Sequence, residues 1–140
     1  MSQLASESSD VAAGDGGTTR FDAAVRRYLA AWNATDPAER RARIEEAFTA
    51  DVRYVDPFAA VEGPGALGHL IGVAQDRFPG LVFTAGSPVD AHHDQARFTW
   101  HLGPAGGEPL IVGFDVAELG PDGRIRTVLG FIDRAPAIPA

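Results

Sequence analysis

The spacing of apolar residues changes once along this chain, near Pro79-Gly80, and that change limits the fold more than any other feature. Before it, large apolar side chains recur every three or four residues, the period of a helix with one buried face. After it they recur every second residue, the period of a strand with one buried face. Helices that come first and strands that come second do not make the alternating units of a parallel sheet. The expectation is α+β: three N-terminal helices packed on one face of a curved, mostly antiparallel sheet.

The first helix carries Phe21, Ala24, Val25, Tyr28, Leu29 and Trp32 at i, i+3, i+4, i+7 spacing and is expected to start after Thr18-Thr19. Asp36-Pro37-Ala38-Glu39 then supplies a capping acid, a proline at the first helical position and a glutamate two residues further on. The second helix is expected to run to about Phe48, with Ala42, Ile44, Ala47 and Phe48 inward. Val52 to Asp56 reads as a short strand. Gly63-Pro64-Gly65 breaks the chain before a third helix marked by Leu67, Leu70, Ile71, Ala74 and Phe78. Strands are expected at 81–85, 88–93, 95–102, 109–119 and 124–133, with turns at His93-Asp94, Gly103 to Gly107 and Asp122-Gly123.

At 140 residues the chain suits one domain, here 20–134. Residues 1–19 are rich in Ser, Ala, Gly and Asp and nearly devoid of large apolar groups. They are expected to be a disordered tail, and the Pro/Ala segment 135–140 a flexible one. A net charge of −7 argues against nucleic-acid or anionic-membrane partners, which need a basic face. With no cysteine there is no disulfide framework, thiolate nucleophile or zinc-thiolate site. No apolar run approaches the roughly 20 residues of a membrane span, and no basic-then-apolar leader is visible, so a cytoplasmic location is expected. His92 and His93 point to opposite faces of one strand and lack further spaced ligands, so no metal site is expected. No glycine-rich segment has the context of a phosphate loop.

Three polar groups aimed at the core carry the functional signal. Asp115 shares its strand face with Ile111, Gly113 and Ala117, where only apolar and small groups point. Asp56 ends an apolar strand before Pro57, and Tyr28 lies on the inward stripe of the first helix. A desolvated carboxyl has its pKa raised, so Asp115 suits acid–base chemistry in a pocket; its plain alternative is an Asp satisfied by backbone groups. Asp56 suits a general base beside an apolar pocket; its plain alternative is a strand end, since the residue before proline is held extended. Tyr28 suits a hydroxyl donor or simply an aromatic of the helix–sheet core. Phe58, Phe98, Trp100, Ile111, Val128 and Ile132 are the expected walls of a small-molecule pocket.

Three segments resemble the ketosteroid isomerases and SnoaL-like polyketide cyclases of the nuclear transport factor two-like superfamily, across residues 20 to 133. Arg27-Tyr28-Leu29 resembles the segment bearing the oxyanion-hole tyrosine of the isomerases. Phe48 to Phe58 resembles the one ending in their general-base aspartate, here Asp56-Pro57. Phe114-Asp115-Val116 resembles the one with their protonated aspartate. The resemblance implies a cystatin-like α+β cone and catalytic roles for Tyr28, Asp56 and Asp115. It further implies a cofactor-independent isomerase or cyclase acting on a small apolar ketone or polyketide, and a homodimer formed through the sheet. A dimeric module that only binds a hydrophobic molecule is the alternative. Two departures stand out: Phe48 and Ile71 occupy positions where the isomerases keep supporting tyrosines. Gly113 stands where limonene-epoxide-hydrolase-like sites have an arginine.

Overall fold

The computed structural model describes residues 10–136. In chain order the elements are α1 (Asp10–Asn33), α2 (Pro37–Ala47), β1 (Phe48–Val55), β2 (Ala60–Glu62), α3 (Pro64–Arg77), β3 (Val82–Ala85), β4 (Asp90–His92), β5 (Gln95–Gly103), β6 (Ile111–Leu119) and β7 (Ile125–Arg134). Seven strands form one open, curved sheet in the order β2-β1-β7-β6-β5-β3, with β4 also paired to β5. Every pairing is antiparallel except β1 with β7, where first and last strand run side by side. The three helices cover one face of this sheet, the α+β arrangement that the change of period implies.

The helix starts follow local chemistry. Asp36 takes extended backbone angles and its Oδ2 accepts from the Glu39 amide at 2.9 Å, with Pro37 opening α2 behind it. At α3 the chain turns through Gly63 at φ 86, a left-handed conformation that favours glycine, and Pro64 follows. The inward stripe of α1 buries Phe21, Ala24, Val25, Tyr28 and Trp32, and α3 buries Leu67 and Ile71. Against them the sheet presents Phe48, Val52, Tyr54, Phe98, Ala117, Leu119, Ile125 and Val128 in one continuous core.

Several boundaries differ from expectation. α1 begins at Asp10 rather than after Thr19. No proline interrupts residues 10–19, and a helix already nucleated and packed can extend backward without a second nucleation cost. The rest of the expected disordered tail, residues 1–9, lies outside the described residues, as do 137–140 of the expected flexible tail. α2 ends at Ala47, and Phe48 opens β1 opposite Ile125 of β7. Ala42 is exposed, because Ile44 and Ala47 already define the buried stripe and a residue two before Ile44 lies nearly across the helix. β1 therefore starts four residues before Val52, and the three-residue β2 has no counterpart among the expected strands.

One irregularity and one unbroken alternation set the face that matters. The register of β1 against β7 slips between Phe48 and Arg53, a bulge that leaves Val52 and Tyr54 buried. β6 alternates without a break, so Ile111, Gly113, Asp115, Ala117 and Leu119 all face the helices. The opposite sheet face keeps apolar groups in register. Phe114 is paired with Phe131 and Val116 with Leu129, and Phe131 is 56% exposed.

Candidate functional site

Among the described residues Asp115 is the one polar residue with a fully buried side chain, 1% exposed at the middle of β6. Its cross-strand neighbours are Phe98 on β5 and Gly130 on β7. A carboxylate so desolvated needs a donor, and α1 supplies one: the Tyr28 hydroxyl donates to Oδ2 at 2.6 Å. Burial raises the Asp115 pKa from 3.8 to about 6. The Tyr28 bond and the nearby Trp100 indole oppose the rise, and the Asp56 charge adds to it. Burial also raises Tyr28 well above the ordinary phenol value, with Asp115 next in effect, so Tyr28 stays a donor at any physiological pH.

Asp56 follows directly after β1, and Tyr54, two residues earlier, shares its strand face. The Tyr54 hydroxyl donates to Asp56 Oδ2 at 2.7 Å; the amides of Phe58 and Ala59 donate to Oδ1 at 2.8 and 3.0 Å. The Asp56 amide closes the same turn on the Ala59 carbonyl at 2.9 Å. Asp56 thus builds the turn at the end of a strand, and its carboxylate is held in place. Three donors leave one of about four lone-pair positions open. Tyr54 is raised by burial first and by Asp56 second, so it too remains protonated.

Gly130 brings the two acids near one another. It pairs with Asp115 across β6–β7, and its neighbour Leu129 pairs with Val55, the residue before Asp56. A Cβ at Gly130 would stand 2.8 Å from Asp115 Oδ1 and 3.3 Å from Asp56 Cβ. The missing side chain is what lets both acids occupy the same side of β7.

Between α1, α3 and the sheet lies an open cavity of about 240 Å³. Tyr28, Tyr54 and Asp56 form its polar part. Phe58, Trp100, Ile111 and Ile132 contribute apolar wall, as do Trp32, Phe83, Phe78 and Leu70, and Arg77 is its one cationic lining residue. Of the residues expected at a pocket, Phe98 and Val128 are elsewhere. Phe98 is 2% exposed, edge-on to Tyr28 with ring centres 5.5 Å apart. Val128 is completely buried between Tyr54 and Ala117 in the sheet register. Neither is among the residues that line this cavity. Asp115 itself is not in the cavity wall; it bears on the cavity through the Tyr28 hydroxyl. Trp100 reaches the wall because it lies across Gly113, its cross-strand partner, where any Cβ would strike its six-membered ring.

Tyr54 is the site residue that the sequence reading overlooked, though strict alternation places it on the face of Asp56. Gly130 and Arg77 were overlooked too, since proximity across β7 and at the end of α3 leaves no trace in local spacing, and Trp32 was read only as part of the inward stripe of α1. In place of the supporting tyrosines absent at Phe48 and Ile71, Tyr28 has Asp115. Phe48 packs edge-on to its ring at 5.8 Å. Among the described residues no three His, Asp or Glu side chains cluster as metal ligands, and no helix is long and apolar enough to cross a membrane.

The SnoaL-like domain family matches residues 25–128. A proposed isomerase of that family from Agrobacterium tumefaciens is 36% identical, with a TM-score of 0.78, and the alignment covers 83% of this chain and 99% of that one. A proposed SnoaL-like polyketide cyclase from Jannaschia shares the fold at 21% identity and a TM-score of 0.59, covering 79% of this chain and 85% of the other. A cystatin-like protein from Methylobium petroleophilum does so at 20% identity and a TM-score of 0.65, covering 86% and 80%. No protein with a curated description matches this sequence.

Proposed function

The chain belongs to the SnoaL-like family, and on that premise we propose that it is an acid–base enzyme acting on a small, mostly apolar carbonyl compound. The observation that carries this reading is the pairing of polar groups at one apolar cavity. Asp56 presents a held carboxylate to it, and Tyr28 a hydroxyl backed by Asp115 at 2.6 Å. In the proposed reaction Asp56 takes a proton from the carbon next to the substrate carbonyl. The developing enolate oxygen is stabilised by the Tyr28 hydroxyl. Asp115, with a pKa of about 6, is partly protonated near neutral pH, and its proton can then be donated to the Tyr28 oxygen. Return of the proton from Asp56 to a different carbon gives isomerisation; attack of the enolate carbon on a second carbonyl breaks its C=O π bond, and passage of the Asp56 proton to the new alkoxide completes a cyclisation. At about 240 Å³ the cavity lies below the ~300–1,000 Å³ of ordinary ligand sites, which favours a compound smaller than a steroid.

Asp56 is preferred to Asp115 as the base because it lines the cavity, whereas Asp115 is 1% exposed behind Tyr28. The test is isomerisation of a small β,γ-unsaturated ketone, followed by absorbance of the conjugated product. Asp56→Asn abolishes turnover with fold and ligand binding intact, Asp115→Asn costs less because an amide still donates, and Asp115→Leu costs more. The reverse order would make Asp115 the base. Full activity in Asp56→Asn would leave Asp56 only its turn. The outer sheet face, with Phe114, Phe131, Val116 and Leu129 in register, is proposed to pair with a second copy of the chain.

A further inference from the structure

The cavity holds one anion and one cation, and they do not pair with each other. The Asp56 oxygens are taken up by Tyr54 and by the Phe58 and Ala59 amides. Arg77, in the last turn of α3, lines the same cavity and makes no ion pair or hydrogen bond with any described residue. The other lining side chains, two tyrosine hydroxyls apart, are almost wholly apolar. Arg77 is exposed, at the rim of this space, so an anionic group of a ligand at the cavity mouth has its guanidinium as cationic partner, a planar fork of donors matched to a carboxylate.

We propose that the cavity takes an apolar carbonyl compound that also bears a carboxylate, held by Arg77. This rests on the acid–base reading above and refines it to an oxo acid. Its carboxylate is repelled by Asp56 and drawn to Arg77, so the substrate enters in one orientation, with its carbonyl toward Tyr28 and Asp56. In a chain of net charge −7 an anionic substrate gains little from the overall field. The local cation therefore decides the preference.

The chain has two tryptophans, Trp32 and Trp100, and both line the cavity, so their fluorescence reports its occupation. The probes are 3-phenylpropanoate and 3-phenylpropan-1-ol, close in shape and different in charge. The wild type is expected to bind the carboxylate about five- to tenfold more tightly, the scale of a partly screened charged pair. Arg77→Met is expected to bind both alike, and Arg77→Lys to keep part of the preference. Equal binding by the wild type, or a preference that survives Arg77→Met, overturns the proposal while leaving the cavity a ligand site. Failure of both probes to bind overturns the proposal together with the small-molecule reading on which it rests.

Discussion

Replacing Tyr28 by Phe removes the one hydroxyl bonded to a carboxylate that is 1% exposed, and the cost depends on pH in a calculable way. Asp115 holds its proton more tightly in the folded chain, with a pKa of about 6 against 3.8. A raised acid makes stability greatest at low pH, where both states are protonated. Stability is then lost as pH rises from about 4 to about 6, and the loss is complete above that window. Over about two pH units it amounts to about 3 kcal/mol. The Tyr28 bond limits that loss. Donation to an ionised carboxylate contributes about 1.5–3 kcal/mol, and a bond to the neutral acid about 1 kcal/mol. Tyr28→Phe is therefore expected to destabilise by about 2 kcal/mol at pH 8 and by about 1 kcal/mol at pH 4.5, because the Asp115 pKa rises further. Urea unfolding of both proteins at the two pH values, followed by circular dichroism, measures this. The double difference cancels every other titrating group common to both. An equal loss at pH 4.5 and pH 8 would refute the coupling.

Two further substitutions follow from the geometry. In Gly130→Ala the added methyl would meet Asp115 Oδ1 at 2.8 Å, so the carboxyl must shift, which disturbs the bond that Tyr28 donates to its other oxygen. The expected result is a loss of about 1–3 kcal/mol and an upward move of the Asp115 pKa, read by carbon NMR of the carboxyl; an unmoved titration contradicts it. Phe131→Asp places a charge on the exposed apolar sheet face and should give a monomer in analytical ultracentrifugation if that face pairs two copies, with the fold retained; a wild type that is already monomeric removes the interface.

The parts of the molecule that were legible in the sequence are those set by local periodicity. The stripe on α1 and the alternation on β6 need only neighbouring residues to be read, and they placed Tyr28 and Asp115 inward. Phe48 was read as helical because Ala47-Phe48 continues an apolar stripe. Its strand partner Ile125 lies far along the chain and cannot be inferred from that stripe. The division of the apolar residues between cavity and core was not legible for the same reason. Phe98 and Trp100 share a strand face, yet Phe98 packs beneath Tyr28 while Trp100 reaches the cavity over Gly113. That outcome depends on which residue each aromatic meets on β6, Asp115 for Phe98 and Gly113 for Trp100. The parallel pairing of β1 with β7, which brings Asp56 beside Gly130, joins the two ends of the domain and has no local signature.

The most direct measurement is exchange of the α-protons of a small ketone such as phenylacetone with deuterium, followed by proton NMR, with wild type beside Asp56→Asn. The exchange depends only on proton removal and its stabilisation, whatever the natural product. The expected result is catalysed exchange in the wild type and exchange at the buffer rate in Asp56→Asn. Equal exchange in the two proteins, or none above buffer in the wild type, would contradict Asp56 as the base of an enolising site.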